Sequence, residues 1–172
     1  MRANSIAILV LLAAALGAGC ASAGGAAGGP VKVERPTGEA KPREISPAAR
    51  RRFADAIRAL DDAMKLSVVD LDALERKFRH VVEEDAGHAE AWYNLGVIAE
   101  RQGKLDDAAA HYRRAIEAKP TLKAAYENLA VLMEKRGDRA GAEEQYKNVL
   151  RAYPADAGAR ARLAELYRQA GD

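Results

Sequence analysis

From Phe53 onward the apolar residues recur at steps of three and four, with charged residues between them. Phe53, Ile57, Leu60 and Met64 make one stripe, and Leu71, Leu74, Phe78 and Val81 the next. On an α-helix that spacing gathers side chains onto one face and leaves the other polar. Ser46-Pro47 fits a helix start. A serine oxygen can accept from a free backbone amide, and a proline in the first turn lacks a donor that would have no partner there. The period breaks from Ser67 to Asp70, and Asp70 is placed to cap the second helix.

The stripes that follow repeat as a block. AEAWYNLGVIAERQGKLDDAAAHYRRAIEAKP, from Ala89 to Pro120, returns 34 residues later as KAAYENLAVLMEKRGDRAGAEEQYKNVLRAYP, from Lys123 to Pro154. Trp92 pairs with Tyr126, Leu95 with Leu129, Gly103 with Gly137, Tyr112 with Tyr146, and Pro120 with Pro154. A fixed period of this size is the mark of a helical repeat array. The glycines permit tight turns between paired helices, and the prolines stop the trailing helices. Gly96 and Ala130, with Ala108 and Ala142, are the small residues expected where paired helices cross. A larger side chain there would overpack at about 1–3 kcal/mol. Trp92, Leu95, Tyr112 and Ile116 are expected to fill the space between successive pairs.

Leu71, Leu74, Phe78 and Val81 lie 34 residues before Leu105, Ala108, Tyr112 and Ala115, which makes the first two stripes a divergent earlier copy. It carries Arg58 and Asp61 in place of the later aromatic and leucine, and Val69 in place of glycine. A last, incomplete copy holds Leu163, Ala164, Tyr167 and Gly171, with Arg160, Arg162, Glu165 and Arg168 suited to a solvated face. The pattern therefore predicts seven helices, three pairs and a cap.

This repeat resembles the tetratricopeptide repeat family. The resemblance implies an all-α solenoid of helical hairpins over residues 47–172, with a degenerate repeat at 47–88, full repeats at 89–122 and 123–156, and a capping helix at 157–172. It also implies that the leading helices line a concave groove for an extended peptide or a helix of another protein. The corresponding positions are Glu90, Tyr93, Asn94, Val97, Glu100 and Arg101, then Ala124, Glu127, Asn128, Val131, Glu134 and Lys135, and finally Arg162, Glu165 and Gln169. Asn94 and Asn128 are repeat-related amides able to donate and accept, and Val97 and Val131 are apolar neighbours. Each such pair is either a docking unit for a peptide or a device of helix geometry with a peripheral core valine. One branch of the family grips chaperone C-terminal carboxylates. Asn128 and Arg162 match that clamp, whereas Tyr93, Val97 and Gly158 stand where lysine, asparagine and lysine would be needed. A chaperone-tail clamp is therefore excluded.

Residues 1–19 are read as an export signal rather than as fold. Arg2 precedes an uncharged run of 11 residues, Ile6 to Leu16, short of the roughly 20 that span a bilayer. Leu16-Gly17-Ala18-Gly19-Cys20 resembles the lipobox of bacterial lipoproteins, with Gly17 departing from the leucine preferred there. The resemblance implies cleavage before Cys20 and acylation of that residue. The alternative is an ordinary signal cut near Ala21 or Ala23. Ala21 and Ser22 lack the aspartate that marks inner-membrane retention in that family, which favours the outer membrane. Residues 20–46 are rich in Gly, Ala, Pro and charge and are expected to be a flexible tether of 27 residues. A coil of that length spans about 30 Å.

Charge adds little. Without Arg2, 26 basic side chains (27 less one) face 25 acidic ones, which gives no general attraction to nucleic acid. A single cysteine excludes an internal disulfide. His80, His88 and His111 lack metal-ligand spacing and are read as inert surface histidines. No nucleophile stands near a base. Glu83-Glu84-Asp85, Glu143-Glu144 and Arg50-Arg51-Arg52 are read as solvated helix faces, and Trp92 as core. No cofactor, metal site or catalytic constellation is expected. The expected function is a lipid-anchored adaptor that holds a partner protein at a cell-envelope assembly. The alternative is a regulator or accessory of peptidoglycan synthesis or hydrolysis, and a catalytic role ranks behind both.

Overall fold

The computed structural model describes residues 44–65 and 69–171. The expected signal segment, Cys20 and the tether up to residue 43 lie outside the described residues. Seven helices follow one another: α1 (Pro47–Lys65), α2 (Leu71–Glu84), α3 (Ala89–Arg101), α4 (Leu105–Ala118), α5 (Lys123–Lys135), α6 (Arg139–Ala152) and α7 (Ala157–Ala170). There is no strand among the described residues. Each helix packs chiefly on its neighbours in sequence, so the chain stacks as three hairpins and a final helix. None of the described helices is long and apolar enough to cross a membrane.

Local chemistry fixes the ends. Ser46 Oγ accepts from Ala49 N–H at 3.0 Å, and Asp70 Oδ1 from Ala73 N–H at 2.9 Å. Asp138 and Asp156 cap α6 and α7 in the same way. Each satisfies an amide that the first helical turn leaves open. Gly103 and Gly137 adopt φ of 77° in the turns within hairpins, a left-handed conformation that a Cβ disfavours. Pro120 and Pro154 stand two residues beyond α4 and α6.

Two apolar clusters fill the stack. One joins α1, α2 and α3 through Leu60, Leu74, Phe78, Val81, Leu95 and Ile98, and the other runs from α3 to α7 through Tyr112, Leu129, Tyr146 and Val149. Trp92 packs against both. It is only half-buried, its Nε1–H donates to the Ala86 carbonyl at 2.7 Å, and its ring stacks on His111.

The close crossing expected at Gly96 is present, and the group that comes close is the Tyr112 ring. A Cβ on Gly96 would stand 2.5 Å from Tyr112 Cε1. His88 departs from expectation. It is buried, 4% exposed, because α1 lays the Phe53 ring against it with centroids 4.4 Å apart.

These contacts set two expected outcomes in chemical denaturation followed by circular dichroism. Gly96→Ala should cost about 1–3 kcal/mol, since the ring opposite has to move. Gly103→Ala meets no atom within 4 Å, so it should cost only the left-handed strain of about 1–2 kcal/mol.

Candidate partner-binding groove

The leading helices α3, α5 and α7 place six of the expected groove residues in two separate hollows. Near the first hairpin, Val97 lines a small apolar hollow of about 20 Å³ with Leu60, Leu71, Leu74 and Phe78, beside Asn94 and Arg101. Between α5, α6 and α7 a larger hollow of about 220 Å³ is lined by Glu127, Val131, Tyr146, Gly158, Ala159 and Arg162. Val131 and Tyr146 give it an apolar wall, while Glu127 and Arg162 give it charged walls.

The repeat period explains why the larger hollow exists. One period earlier the same six positions are Tyr93, Val97, Tyr112, Ala124, Ala125 and Asn128. There the Tyr93 ring is buried, and Asn128 Nδ2–H bridges the Tyr93 hydroxyl at 3.2 Å and the Tyr112 hydroxyl at 3.3 Å. Glu127 turns to Lys123 and Arg162 is exposed, so neither closes the space as the buried phenol and the bridging amide do. The later copy is left with room.

Most of the expected residues are engaged in the array itself. Asn94 Nδ2–H donates to the Glu90 carbonyl at 2.7 Å. The Glu90 side chain is buried and takes a bond from Lys119 Nζ at 2.8 Å. Burial pushes the Glu90 carboxyl up and the Lys119 bond pulls it down, with the net direction downward. Lys135 Nζ reaches Glu100 at 2.5 Å across repeats. Arg168 and Gln169 hold the Glu165 carboxyl down to about 2. Glu127 is paired with Lys123 at 3.2 Å. Arg162 and Arg101 are exposed and have no ion-pair partner among the described residues.

A repeated polar pair had escaped the sequence reading. Tyr112 donates to Glu100 at 3.0 Å, and Tyr146 to Glu134 at 2.6 Å. Burial, with the carboxylate alongside, pushes both phenols well above their ordinary range, so they stay protonated donors. The signal was available: glutamate and tyrosine recur together at the 34-residue period. Among the described residues no group of three His, Cys, Asp or Glu side chains is placed to hold a metal ion.

A stack of helical hairpins with one face of leading helices defines a class of protein–protein interaction scaffolds. Tetratricopeptide repeat models match residues 89–122 and 128–172. These matches identify both stretches as tetratricopeptide repeats. No curated protein matches the sequence. Among solved structures, MamA protein is similar with a TM-score of 0.59 and 20% identity, over 72% of this chain and 67% of that one. The first tetratricopeptide domain of Spaghetti (RPAP3), bound to the HSP90 peptide SRMEEVD, is similar with a TM-score of 0.61 and 14% identity, over 72% of this chain and 98% of that one. At these identities the likeness is one of fold.

If Asn128 is chiefly a bridge between repeats, its removal should be felt without any partner present. Asn128→Ala should lower stability by about 1–2 kcal/mol, the cost of leaving buried hydroxyls short of a donor. Asn94→Ala, which loses only a bond to its own helix, should cost less in the same denaturation experiment.

Proposed function

We propose that the chain is a non-enzymatic adaptor, anchored through an acylated Cys20 to the outer membrane and facing the periplasm, that holds an extended peptide segment of a cell-envelope partner. The observation that carries this reading is the hollow of about 220 Å³ walled by Val131 and Tyr146 and flanked by Glu127 and Arg162. An extended segment can set one apolar side chain against Val131 while its backbone and flanking polar groups meet the two charges. The solved tetratricopeptide domain that carries a peptide supports this mode of binding. The peptide here would differ in chemistry, because Tyr93, Val97 and Gly158 replace the residues of a chaperone-tail clamp. The anchor rests on the apolar run and the lipobox-like Leu16 to Cys20. More than one acyl chain on that cysteine would give stable attachment.

Affinity capture with the full chain from a bacterial envelope extract tests the groove. A specific protein should be recovered, and Val131→Asp combined with Arg162→Ala should reduce recovery at least about tenfold, the effect of roughly 1.4 kcal/mol. Undiminished recovery by the double variant would show that docking occurs elsewhere. Recovery of peptidoglycan synthases or hydrolases would assign the scaffold to the cell wall. For the anchor, mass spectrometry of the mature N terminus should find acyl groups on Cys20, and an unmodified terminus beyond Cys20 would remove the claim.

A further inference from the structure

The described residues bury few polar side chains, and three of them, Asp85, His88 and Glu90, lie within six residues at the joint between α2 and α3. His88 has two structural duties there. Its Nδ1 accepts from Ala91 N–H at 3.4 Å as the N-cap of α3. Its ring also lies on Phe53 of α1 at 4.4 Å and 32°. One imidazole thus starts a full repeat and seats the divergent pair on it. Leu122 and Asp156 hold the same place one and two periods later, so this joint alone carries a histidine there.

The charged groups facing His88 come from three elements. Glu90 of α3 places Oε2 3.6 Å from Nδ1, and its other oxygen is held by Lys119 from the end of α4 at 2.8 Å. Asp85 stands at the end of α2, where its carboxylate accepts from Ser46 N–H and Gly87 N–H. From α1 comes the uncharged Phe53 ring.

We propose that this joint is an acid-sensitive coupling, in which protonation of His88 loosens the α1–α2 hairpin from α3. A neutral imidazole can accept from Ala91 N–H, whereas an imidazolium has two donors and no acceptor. It would also place a charge inside the joint, where water cannot solvate it. Burial holds the His88 pKa below its ordinary value, with Glu90 and Asp85 opposing and Lys119 assisting. The folded joint therefore binds fewer protons than the unfolded chain as pH falls below about 6.5. Its stability is full above that point and declines through the window down to the folded pKa. The small hollow beside Val97 is walled by Leu60, Leu71, Leu74 and Phe78 of the same hairpin. Acid would thus alter that end of the groove and leave the α5–α7 hollow in place.

Hydrogen exchange of the full chain tests this, with rates corrected for intrinsic pH dependence. Between about pH 7.5 and about pH 5, protection of α1 and α2 should fall roughly tenfold, and that of α5 to α7 less than about twofold. His88→Asn keeps a capping oxygen without a titrating ring and should abolish the fall. Glu90→Gln should retain it. Tryptophan fluorescence is a poor substitute, because His111 also stacks on Trp92. A proton-NMR titration of the wild-type chain should place the His88 pKa below the ordinary histidine value of about 6.5. An equal fall in His88→Asn, no fall in wild type, or a His88 pKa at or above that ordinary value would overturn the proposal.

Discussion

The burial of one tyrosine per trailing helix is the constraint around which each full repeat is arranged. Tyr112 and Tyr146 are 0% and 1% exposed. A tyrosine ring can fill a core, but its hydroxyl then needs a partner. Glu100 and Glu134, near the ends of the leading helices, supply it. For Tyr112 the fit goes further. The ring lies so close to α3 that a Cβ on the backbone opposite would force it to move, and its hydroxyl also receives Asn128 from the next repeat. A single side chain joins the two helices of its own hairpin and ties that hairpin to its successor.

That arrangement explains what the sequence could disclose. The period displays every feature a repeat must satisfy locally: Gly103 and Gly137 in left-handed turns, Pro120 and Pro154 past the helix ends, and alternating apolar steps. Each depends on neighbours a few residues away. The first pair was legible for the same reason, since Phe53 to Met64 and Leu71 to Val81 show their stripes without the later glycine. The site was less legible. Asn94 and Asn128 occupy the same place in the period, yet one bonds to its own helix and the other reaches Tyr93, 35 residues back. His88 lies between Gly87 and Ala89 in sequence, and the Phe53 ring that covers it comes from α1. Such differences arise between repeats, where a self-comparison of the sequence is silent.

The same comparison shows how a repeat array acquires an asymmetric face. The backbone framework of Val97 and Val131 is alike, but Tyr93 and Asn128 fill around the first what Glu127 and Arg162 leave open around the second. The exchange adds exposed charge where the earlier copy has a closed polar bridge. A bridge between the full repeats and an open hollow thus stand at successive copies of one set of positions.

Ser46 has a mechanical consequence of its own. Its N–H is held by Asp85 at 3.1 Å, while its carbonyl receives Arg50 N–H at 3.0 Å. Tension arriving from the N-terminal side therefore meets the far end of α2 as well as the first turn of α1. The load is shared across a hairpin instead of peeling one helix from its tip, which makes that carboxylate the bracket on which a pulled chain would hang.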